Sequence, residues 1–459
     1  MKTIAIIGGG PAGYVAAITA ARHNQQVILI EESNLGGTCL NEGCIPTKSL
    51  LESADIYEKV RNAKQFGINL QKGDITINWS GVQHHKSQVV HQLVQGIGYL
   101  MRKNKIQVIN GKASFLSDHQ ILINHNGDEE VIGADKVIIS TGSEPVSLPF
   151  APVDDKWVIQ SKEAMSLPEI PSSLLIVGGG VIGCEFASIY SRMGTKVTIV
   201  EMADQIVPGE DPDIASVLHE ELEKVGVAIY LSTSLKQLNP ETRLAVFEGQ
   251  DGLREVTTDH VLIAIGRKPH VAELGLDQVK VHFTKQGIQV NDHMQTSIPH
   301  IYACGDVVGG RQLAHVAFHE GTVAALHASG IERKVNYQAV PRCIYTAPEI
   351  ASVGLTETQA REHYEYIRVG EFPFSANGKA LINNEPIGKV KVITESEFDE
   401  IVGISIVGPH ATELIGQGTA ILNGELTLDV MEEFISAHPT LSESIQEAAR
   451  NAVGNAMHV

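Results

Sequence analysis

The 459-residue sequence predicts an α/β protein that contains two copies of a strand, glycine turn, helix and strand unit. Three observations predict this fold class. Residues 4–13 (IAIIGGGPAG) recur as residues 174–183 (LLIVGGGVIG), a second apolar strand ending in an acidic residue follows each copy, and 43 glycines suit a protein with many tight turns. At roughly 100–200 residues per domain, the length predicts about three domains.

The composition excludes several classes of protein. Hydrophobic residues make up 43% of the chain and charged residues 19%, which is the balance of a globular protein rather than a disordered one. The 35 Lys and Arg residues against 54 Asp and Glu residues give a net charge of −19, and such a chain repels a polyphosphate at long range. We therefore expect no nucleic-acid partner.

The cysteine count and the first apolar segment bear on location. Five cysteines are too few, and odd in number, for a secreted fold held by disulfides, so we expect a reducing, cytoplasmic compartment. Residues 4–21 carry no charge, but the run 8–13 (GGGPAG) interrupts them, and a strand followed by a turn explains them better than a signal peptide or anchor. We expect no membrane partner.

Each repeated unit carries the pattern of a dinucleotide-binding turn. Its first glycine allows a tight turn, the second lets the backbone approach a pyrophosphate, and the third lets helix and strand pack closely. One such pattern is a weak signal, but 23 residues separate the first glycine from the acidic residue in both copies. The sequence therefore predicts two Rossmann-like dinucleotide-binding domains. The residues concerned are Gly8, Gly10, Gly13 and Glu31 in the first unit and Gly178, Gly180, Gly183 and Glu201 in the second.

The acidic residues indicate which dinucleotides bind. Glu31 and Glu201 can each accept a hydrogen bond from a ribose 2′-hydroxyl, whereas a 2′-phosphate would be repelled by the carboxylate. The second site is therefore expected to prefer NAD over NADP.

A second duplication indicates where the nucleotide domains end. Residues 135–145 (DKVIISTGSEP) are similar to residues 259–269 (DHVLIAIGRKP), and each is an apolar strand stopped by Gly and Pro, which places boundaries near Pro145 and Gly266. Residues 78–102 are predicted to form a helix that covers the first domain, with His84, His85 and His91 on its solvated face.

Residues 36–48 (GGTCLNEGCIPTK) follow the acidic end of the second strand and contain Cys39 and Cys44. Cysteines at this spacing can form a disulfide if the backbone brings their Cα atoms within about 7 Å. A structural zinc site needs four ligands, and no second pair follows at zinc spacing. Two inert core cysteines remain the third alternative, because free cysteine is often buried.

Taken with the two glycine turns, this segment and residues 436–443 (SAHPTLSE) resemble the pyridine nucleotide–disulfide oxidoreductase family, class I, from Ile4 to about Ala449. The resemblance implies FAD in the first unit, NAD in the second and a C-terminal α+β dimerisation domain. It divides the chain into an FAD-binding domain (1–145), an NAD-binding domain (146–266), a segment that completes the FAD site (267–336) and the interface domain (337–459).

The resemblance also implies roles for individual residues. Cys39 and Cys44 form the redox disulfide, Cys39 exchanging with a dithiol and Cys44 facing the flavin, while Lys48 approaches flavin N5 and pairs with Glu185. The remaining implied cofactor contacts are Thr38, Gly111, Gly142, Asp306 and Ala314 beside FAD and Gly266 beside NAD.

His438 is the implied general base. Imidazole exchanges a proton most readily near neutral pH, and Glu443 lies close enough in sequence to fix its tautomer. In this family the histidine reaches the disulfide of the other subunit, so a homodimer is implied.

The members that oxidise dihydrolipoamide match best. This match implies that the chain uses NAD⁺ to oxidise dihydrolipoamide carried on a lipoyl domain. The implied partner is the acyltransferase core of a 2-oxo acid or acetoin dehydrogenase complex. The alternatives are another NAD(P)H-dependent disulfide or metal reductase on the same fold, or a non-catalytic structural subunit.

The chain departs from the family pattern at two positions. Ser436 stands where a second histidine is usual, and Thr47 where serine is commoner. His315 and His319 have helical spacing but lack the glutamate of a zinc motif, so no metal is expected. The other cysteines, Cys184, Cys304 and Cys343, are expected to be bystanders.

Overall fold

A computed structural model describes residues 2–70, 75–125 and 127–458. Up to residue 145 the elements are β1 (Thr3–Ile7), α1 (Pro11–Arg22), β2 (Gln26–Glu31), α2 (Gly37–Asn41), α3 (Cys44–Arg61), α4 (Trp79–Lys103), β3 (Gln107–Asn110), β4 (Lys112–Ser117), β5 (Gln120–His125), β6 (Asp128–Gly133), β7 (Lys136–Ile139) and β8 (Ser143–Pro145).

The second nucleotide unit follows. Its elements are β9 (Val158–Ile159), α5 (Ser161–Ala164), β10 (Ser173–Val177), α6 (Val181–Arg192), β11 (Lys196–Val200), α7 (Pro212–Lys224), β12 (Ala228–Tyr230), β13 (Ser234–Asn239), β14 (Leu244–Gly249), β15 (Gly252–Thr257) and β16 (His260–Ile263).

The rest of the chain returns to the first unit and then forms a separate sheet. These elements are β17 (Arg267–Pro269), β18 (Phe283–Thr284), β19 (Gly287–Ile288), β20 (Ile301–Ala303), α8 (Ala314–Ala328), β21 (Arg342–Ile344), β22 (Glu349–Gly354), α9 (Glu357–His363), β23 (Ile367–Pro373), α10 (Gly378–Asn383), β24 (Lys389–Glu395), β25 (Ile401–Gly408), α11 (Ala411–Asn423), α12 (Leu428–Glu433) and α13 (Glu443–Asn451). Short 3₁₀ turns lie at Ala63–Phe66, Asp306–Val308 and Phe374–Ala376.

The duplication predicted from the sequence is present in both parallel sheets. The first has the order β3-β2-β1-β7-β20 and the second the order β12-β11-β10-β16-β9, and all neighbours in both are parallel. Each unit also carries a three-stranded antiparallel sheet, β4-β5-β6 or β13-β14-β15. The uncharged segment at the start of the chain is therefore β1, a glycine turn and α1, as predicted.

The similar segments 135–145 and 259–269 take matching places. Their apolar parts form β7 and β16, each next to the strand that precedes a glycine turn, and their ends form β8 and β17, which pair with each other. One pair of strands thus joins the two nucleotide units. The domain limits predicted above stay a prediction.

Helix α4 begins and ends within one residue of the predicted 78–102, and His84, His85 and His91 are exposed as expected. It does more than cover the first unit, however. Trp79 donates its indole N–H to the carbonyl oxygen of Leu167, so the first turn of α4 docks on the second unit.

The C-terminal sheet, β21-β22-β25-β24-β23, is antiparallel and packs against α11 and α13. It is tied to the second nucleotide unit by Lys391, whose side chain is 3% exposed. Its Nζ lies 2.6 Å from Asp213 Oδ1 and 3.1 Å from Glu357 Oε2, which satisfies the buried charge. Within the described residues, no helix combines the length and apolar character needed to cross a membrane.

Helices α1 and α8 pack at a distance that only glycine allows. A β-carbon on Gly321 would lie 2.3 Å from the carbonyl oxygen of Ala12. We predict that Gly321→Ala lowers the free energy of unfolding by about 1–3 kcal/mol, because overpacking at a backbone contact forces the helices apart.

The matched control is Gly96→Ala in α4, where a β-carbon meets nothing within 4 Å. This change should raise stability by roughly 0.5–1 kcal/mol, because alanine has the higher helix propensity. Urea unfolding of both variants measures the difference, and equal midpoints would contradict the packing argument.

Candidate active site

A single cavity of about 1810 Å³ lies where the carboxyl ends of the two parallel sheets face each other. Its volume exceeds the roughly 300–1,000 Å³ of a pocket for one drug-sized ligand, so it has room for more than one such molecule. Sixteen of the predicted site residues border it: Gly8, Gly10, Glu31, Thr38, Cys39, Cys44, Lys48, Gly111, Gly142, Gly178, Gly180, Glu185, Glu201, Gly266, Asp306 and Ala314.

The glycines of the two turns serve different purposes. A β-carbon on Gly13 would lie 1.9 Å from the Gly8 carbonyl oxygen, and one on Gly183 equally close to that of Gly178, so the third glycines are required by packing. Gly10 and Gly180 have φ of −70° and −75°, which any residue adopts, and a β-carbon there approaches no protein atom closer than 3.8 Å. The protein itself does not require glycine at these two positions, whereas a closely approaching ligand would.

Both acidic residues are held in the same way. Glu31 Oε2 accepts a hydrogen bond from the Gly9 N–H at 2.6 Å, and Glu201 Oε2 accepts one from the Gly179 N–H at 2.5 Å. Each carboxylate also accepts from the backbone N–H two residues after it. The carboxylates keep further lone pairs for a ribose hydroxyl.

The cysteine pair lies at the junction of α2 and α3, with Cys44 as the first residue of α3. Both are half-buried free thiols that border the same cavity. The neighbouring Cys39 thiol, together with the charge of Lys48, lowers the pKa of Cys44 to about 7, while the Cys44 thiol and burial raise the pKa of Cys39. The two thiols are thus close enough to shift each other's pKa, as a pair that alternates between dithiol and disulfide requires.

The Lys48–Glu185 contact joins the two nucleotide units beside this pair. Lys48 Nζ lies 2.8 Å from both carboxylate oxygens of Glu185, which is only 4% exposed. Glu185 also accepts from the backbone N–H of Tyr345 at 3.2 Å, and Lys48 Nζ lies 4.6 Å from the centre of the Tyr345 ring. A cation is therefore held on the wall of the cavity by its carboxylate partner.

Asp306 belongs to a network that the sequence motifs do not reveal. Its Oδ2 accepts from the Ser143 hydroxyl at 2.6 Å, and Arg267 Nε donates to the same hydroxyl at 2.8 Å. Ser143 and Arg267 lie on the paired strands β8 and β17, so the only sequence signal for them is the duplicated strand ends.

Several residues expected to be inert border or flank the cavity. Cys304 and Cys343 line it, whereas Cys184 is fully buried behind the second glycine turn, where its thiol donates to the Gly179 carbonyl oxygen at 3.3 Å. His315 Nε2 donates to the Pro341 carbonyl oxygen at 2.9 Å, and His319 Nε2 accepts from the Asn336 N–H at 3.5 Å. One ring nitrogen of each of these histidines is therefore engaged by the backbone.

The histidine and glutamate near the end of the chain do not border the cavity. His438 donates from Nδ1 to Glu443 Oε1 at 2.8 Å, and Glu443 also accepts from the Thr440 N–H at 2.7 Å. The His438 side chain is 77% exposed. Within one chain, the structure therefore brings the predicted cysteines and cofactor contacts together but leaves this pair outside.

The two departures from the family pattern have local hydrogen-bond partners. Ser436 donates its hydroxyl to Gln446 Oε1 at 2.9 Å, and Thr47 donates to the Gly43 carbonyl oxygen at 2.6 Å. Both substitutions are thus accommodated without an unsatisfied hydroxyl.

Comparison with known families matches almost the whole chain. Residues 2–321 match the family described as pyridine nucleotide-disulphide oxidoreductase, and residues 340–449 match its dimerisation domain.

Relatives and solved structures agree with this match. A dihydrolipoyl dehydrogenase of Bacillus subtilis is 57% identical over 99% of this chain and 100% of its own length, and one of Geobacillus stearothermophilus is 36% identical over 99% and 97%. The crystal structure of LpdA from Mycobacterium tuberculosis has a TM-score of 0.91 at 28% identity, covering 98% of this chain and 99% of that one. The HOCl-induced flavoprotein disulfide reductase RclA from Escherichia coli has a TM-score of 0.87 at 29% identity, covering 97% and 99%.

Lys48→Met tests the origin of the low Cys44 pKa. Removing the cation disfavours the thiolate, so the pH at which reduced Cys44 reaches half its maximal alkylation rate should rise by roughly 1 pH unit relative to the unchanged protein. Iodoacetamide labelling followed by mass spectrometry measures the profile. Lys48→Arg keeps the charge and should leave the midpoint nearer its original value, and an unshifted profile for Lys48→Met would count against this account.

Proposed function

The chain belongs to the pyridine nucleotide-disulphide oxidoreductase family, and on that basis we propose that it oxidises protein-bound dihydrolipoamide to lipoamide and reduces NAD⁺ to NADH. We place this activity in the dehydrogenase component of a 2-oxo acid or acetoin dehydrogenase complex. The observation that carries the proposal is the position of Cys39 and Cys44 beside Lys48 in one cavity that also borders both glycine turns.

FAD and NAD fit the residues present. Gly10 with Glu31 in the first unit and Gly180 with Glu201 in the second leave open space beside a helix N-terminus and a carboxylate for a ribose, which is what a dinucleotide needs. When bound, FAD supplies two-electron transfer between the cysteine pair and the nicotinamide. Lys48 and Asp306 would hold its polar groups, and Glu201 favours NAD over NADP.

The chain's own residues carry a thiol–disulfide exchange that balances. His438 takes the proton of one substrate thiol, the thiolate attacks Cys39 Sγ, and the Cys39–Cys44 bond breaks to leave the Cys44 thiolate. The second substrate thiol attacks the substrate sulfur of the mixed disulfide, and its proton passes to the Cys39 sulfur that leaves, which releases lipoamide and the Cys39 thiol. The cysteine pair then holds two more electrons than the disulfide. This is the reduced state, in which both cysteines are free.

The low pKa of Cys44 suits its position in this sequence of steps. A thiol with a low pKa is the better leaving group, so attack on Cys39 expels Cys44 readily. Glu443, bound to Nδ1 of His438, leaves Nε2 as the nitrogen that accepts the substrate proton.

We infer that the base acts on the disulfide of a second subunit. His438 is exposed and lies outside the cavity of its own chain, while the preceding Phe434 and Ile435 are 46% and 93% exposed. Large exposed apolar side chains mark an interaction surface, and the region matches a dimerisation domain. A homodimer places this surface against the partner.

The alternative functions account for the residues less well. A glutathione-type reductase normally uses NADPH, which Glu201 disfavours, and a non-catalytic subunit has no need for the contacts that Cys39, Cys44 and His438 make. The net charge of −19 suits docking on a basic module of an acyltransferase core, and this association should weaken as salt rises. The cytoplasmic location stays a prediction.

Cys44→Ser tests the proposal directly. Without the second sulfur the pair cannot take two electrons, so reduction of NAD⁺ by dihydrolipoamide should fall at least about 1,000-fold. Cys184→Ala, in a fully buried cysteine outside the cavity, is the matched control and should keep most of the rate. Steady-state assays with lipoamide, glutathione disulfide and Hg²⁺, each with NADH as the reductant, rank the candidate substrates. Wild-type activity in Cys44→Ser would refute the proposed route.

Glu443→Gln tests the role of the His438 pair. The amide no longer stabilises the imidazolium, so the dihydrolipoamide-dependent rate should fall by roughly 10- to 1,000-fold. The rate of NADH-dependent reduction of a one-electron dye should stay within about twofold of the wild-type rate, because this reaction removes no proton from a dithiol. Equal losses in both assays would indicate a structural defect instead.

A further inference from the structure

A partly buried ion pair between Arg342 and Glu210 lines the cavity. It has no part in the thiol–disulfide exchange. Arg342 Nε donates to Glu210 Oε1 at 3.1 Å, and both residues line the cavity. Glu210 is 4% exposed and Arg342 is 29% exposed. The carboxylate is thus the inner partner and the guanidinium the outer one.

The pair leaves hydrogen-bonding capacity unused. Among the described residues, Glu210 Oε2 has no hydrogen-bond partner, although buried carboxylate oxygens normally have one. The bond to Glu210 uses Nε of Arg342, and no bond from either Nη is found in the described part of the chain. The Arg342 guanidinium therefore presents its Nη donors beside the cavity. Glu210 Oε2 can accept a second hydrogen bond when the guanidinium rotates.

The backbone holds this pair close to the second glycine turn. Val207 N–H donates to the Gly179 carbonyl oxygen at 2.8 Å, and Glu210 N–H donates to the Val207 carbonyl oxygen at 3.0 Å. Val207 has φ of 42°, a left-handed conformation that β-branched residues rarely adopt. Strain of this kind persists where the surrounding structure fixes a segment, and it is commonest at functional sites.

We propose that Arg342 binds the pyrophosphate of the pyridine nucleotide and that Glu210 is the positioning residue that aims it. The N-terminus of α6 at Gly180 offers backbone donors to the phosphates from one side, and the planar guanidinium matches two phosphate oxygens from the other. The inference deepens the proposed function, because it rests on the second unit taking NAD.

The test is calorimetric binding of NADH, ADP-ribose and adenosine to the FAD-loaded full chain. Arg342→Gln should weaken the binding of NADH and ADP-ribose by roughly tenfold, because both carry the pyrophosphate. The affinity for adenosine, which lacks it, should stay within about twofold. Arg342→Lys keeps the charge, so its affinity for NADH should lie between those of the wild-type protein and Arg342→Gln. Unchanged NADH affinity in Arg342→Gln, or an equal loss for adenosine, would overturn the assignment.

Glu210→Gln tests the positioning role. It should weaken NADH binding severalfold, and the double variant Glu210→Gln/Arg342→Gln should bind no more weakly than Arg342→Gln alone, because both changes remove one contact. Additive losses would overturn the positioning role. The matched control is Glu58→Gln, whose Oε2 lies 2.9 Å from Arg192 Nε in an ion pair outside this cavity.

The outcome is separable from that of the proposed function. Anaerobic reduction of the bound flavin by dihydrolipoamide needs no pyridine nucleotide, so it should proceed at the wild-type rate in Arg342→Gln. Failure of that reduction in the wild-type protein would refute the dithiol substrate and leave the NADH titration as a valid test of Arg342. The visible flavin spectrum and the thermal midpoint of each variant identify any loss of fold.

Discussion

The Lys48–Glu185 ion pair is the contact on which the arrangement of the cavity depends. It joins α3 of the first nucleotide unit to α6 of the second, and the same carboxylate accepts the Tyr345 N–H from the C-terminal part of the chain. Breaking a buried pair costs several kcal/mol, because one charge is left without a partner. Three parts of the chain are thus fixed around one cation beside Cys44, which lies one turn earlier on α3.

This arrangement divides the chemistry between two surfaces. One chain supplies a cavity with two glycine turns, the exchanging sulfurs and the cation that lowers the pKa of Cys44. The proposed base, His438, and its partner Glu443 lie outside that cavity, beside exposed apolar side chains. In the proposed mechanism a complete site combines two copies of the chain, which makes dimer formation a condition of activity.

Much of the fold could be predicted because the duplicated units are local patterns. The strand, glycine turn and helix of residues 3–22 and 173–192 follow from periodicity and glycine spacing alone. The Lys48–Glu185 and His438–Glu443 contacts, expected from the family resemblance, are present. The bonds of Arg267 to Ser143 and of Arg342 to Glu210 could not be predicted, because they join residues 124 and 132 positions apart through strand pairing and domain docking. Nor does periodicity show that α4 docks Trp79 on the other unit.

The central claim is that each site combines the cysteines of one subunit with His438 of the other, and hybrid dimers test it most directly. Subunits carrying Cys44→Ser are mixed with subunits carrying His438→Gln, differently tagged, and the hybrid is purified and assayed with dihydrolipoamide and NAD⁺. In the hybrid, one site has both the intact cysteines and the intact histidine, so the account predicts about half of the wild-type rate per dimer. A hybrid as inactive as either parent would contradict it, because both sites would then draw all their residues from one defective chain.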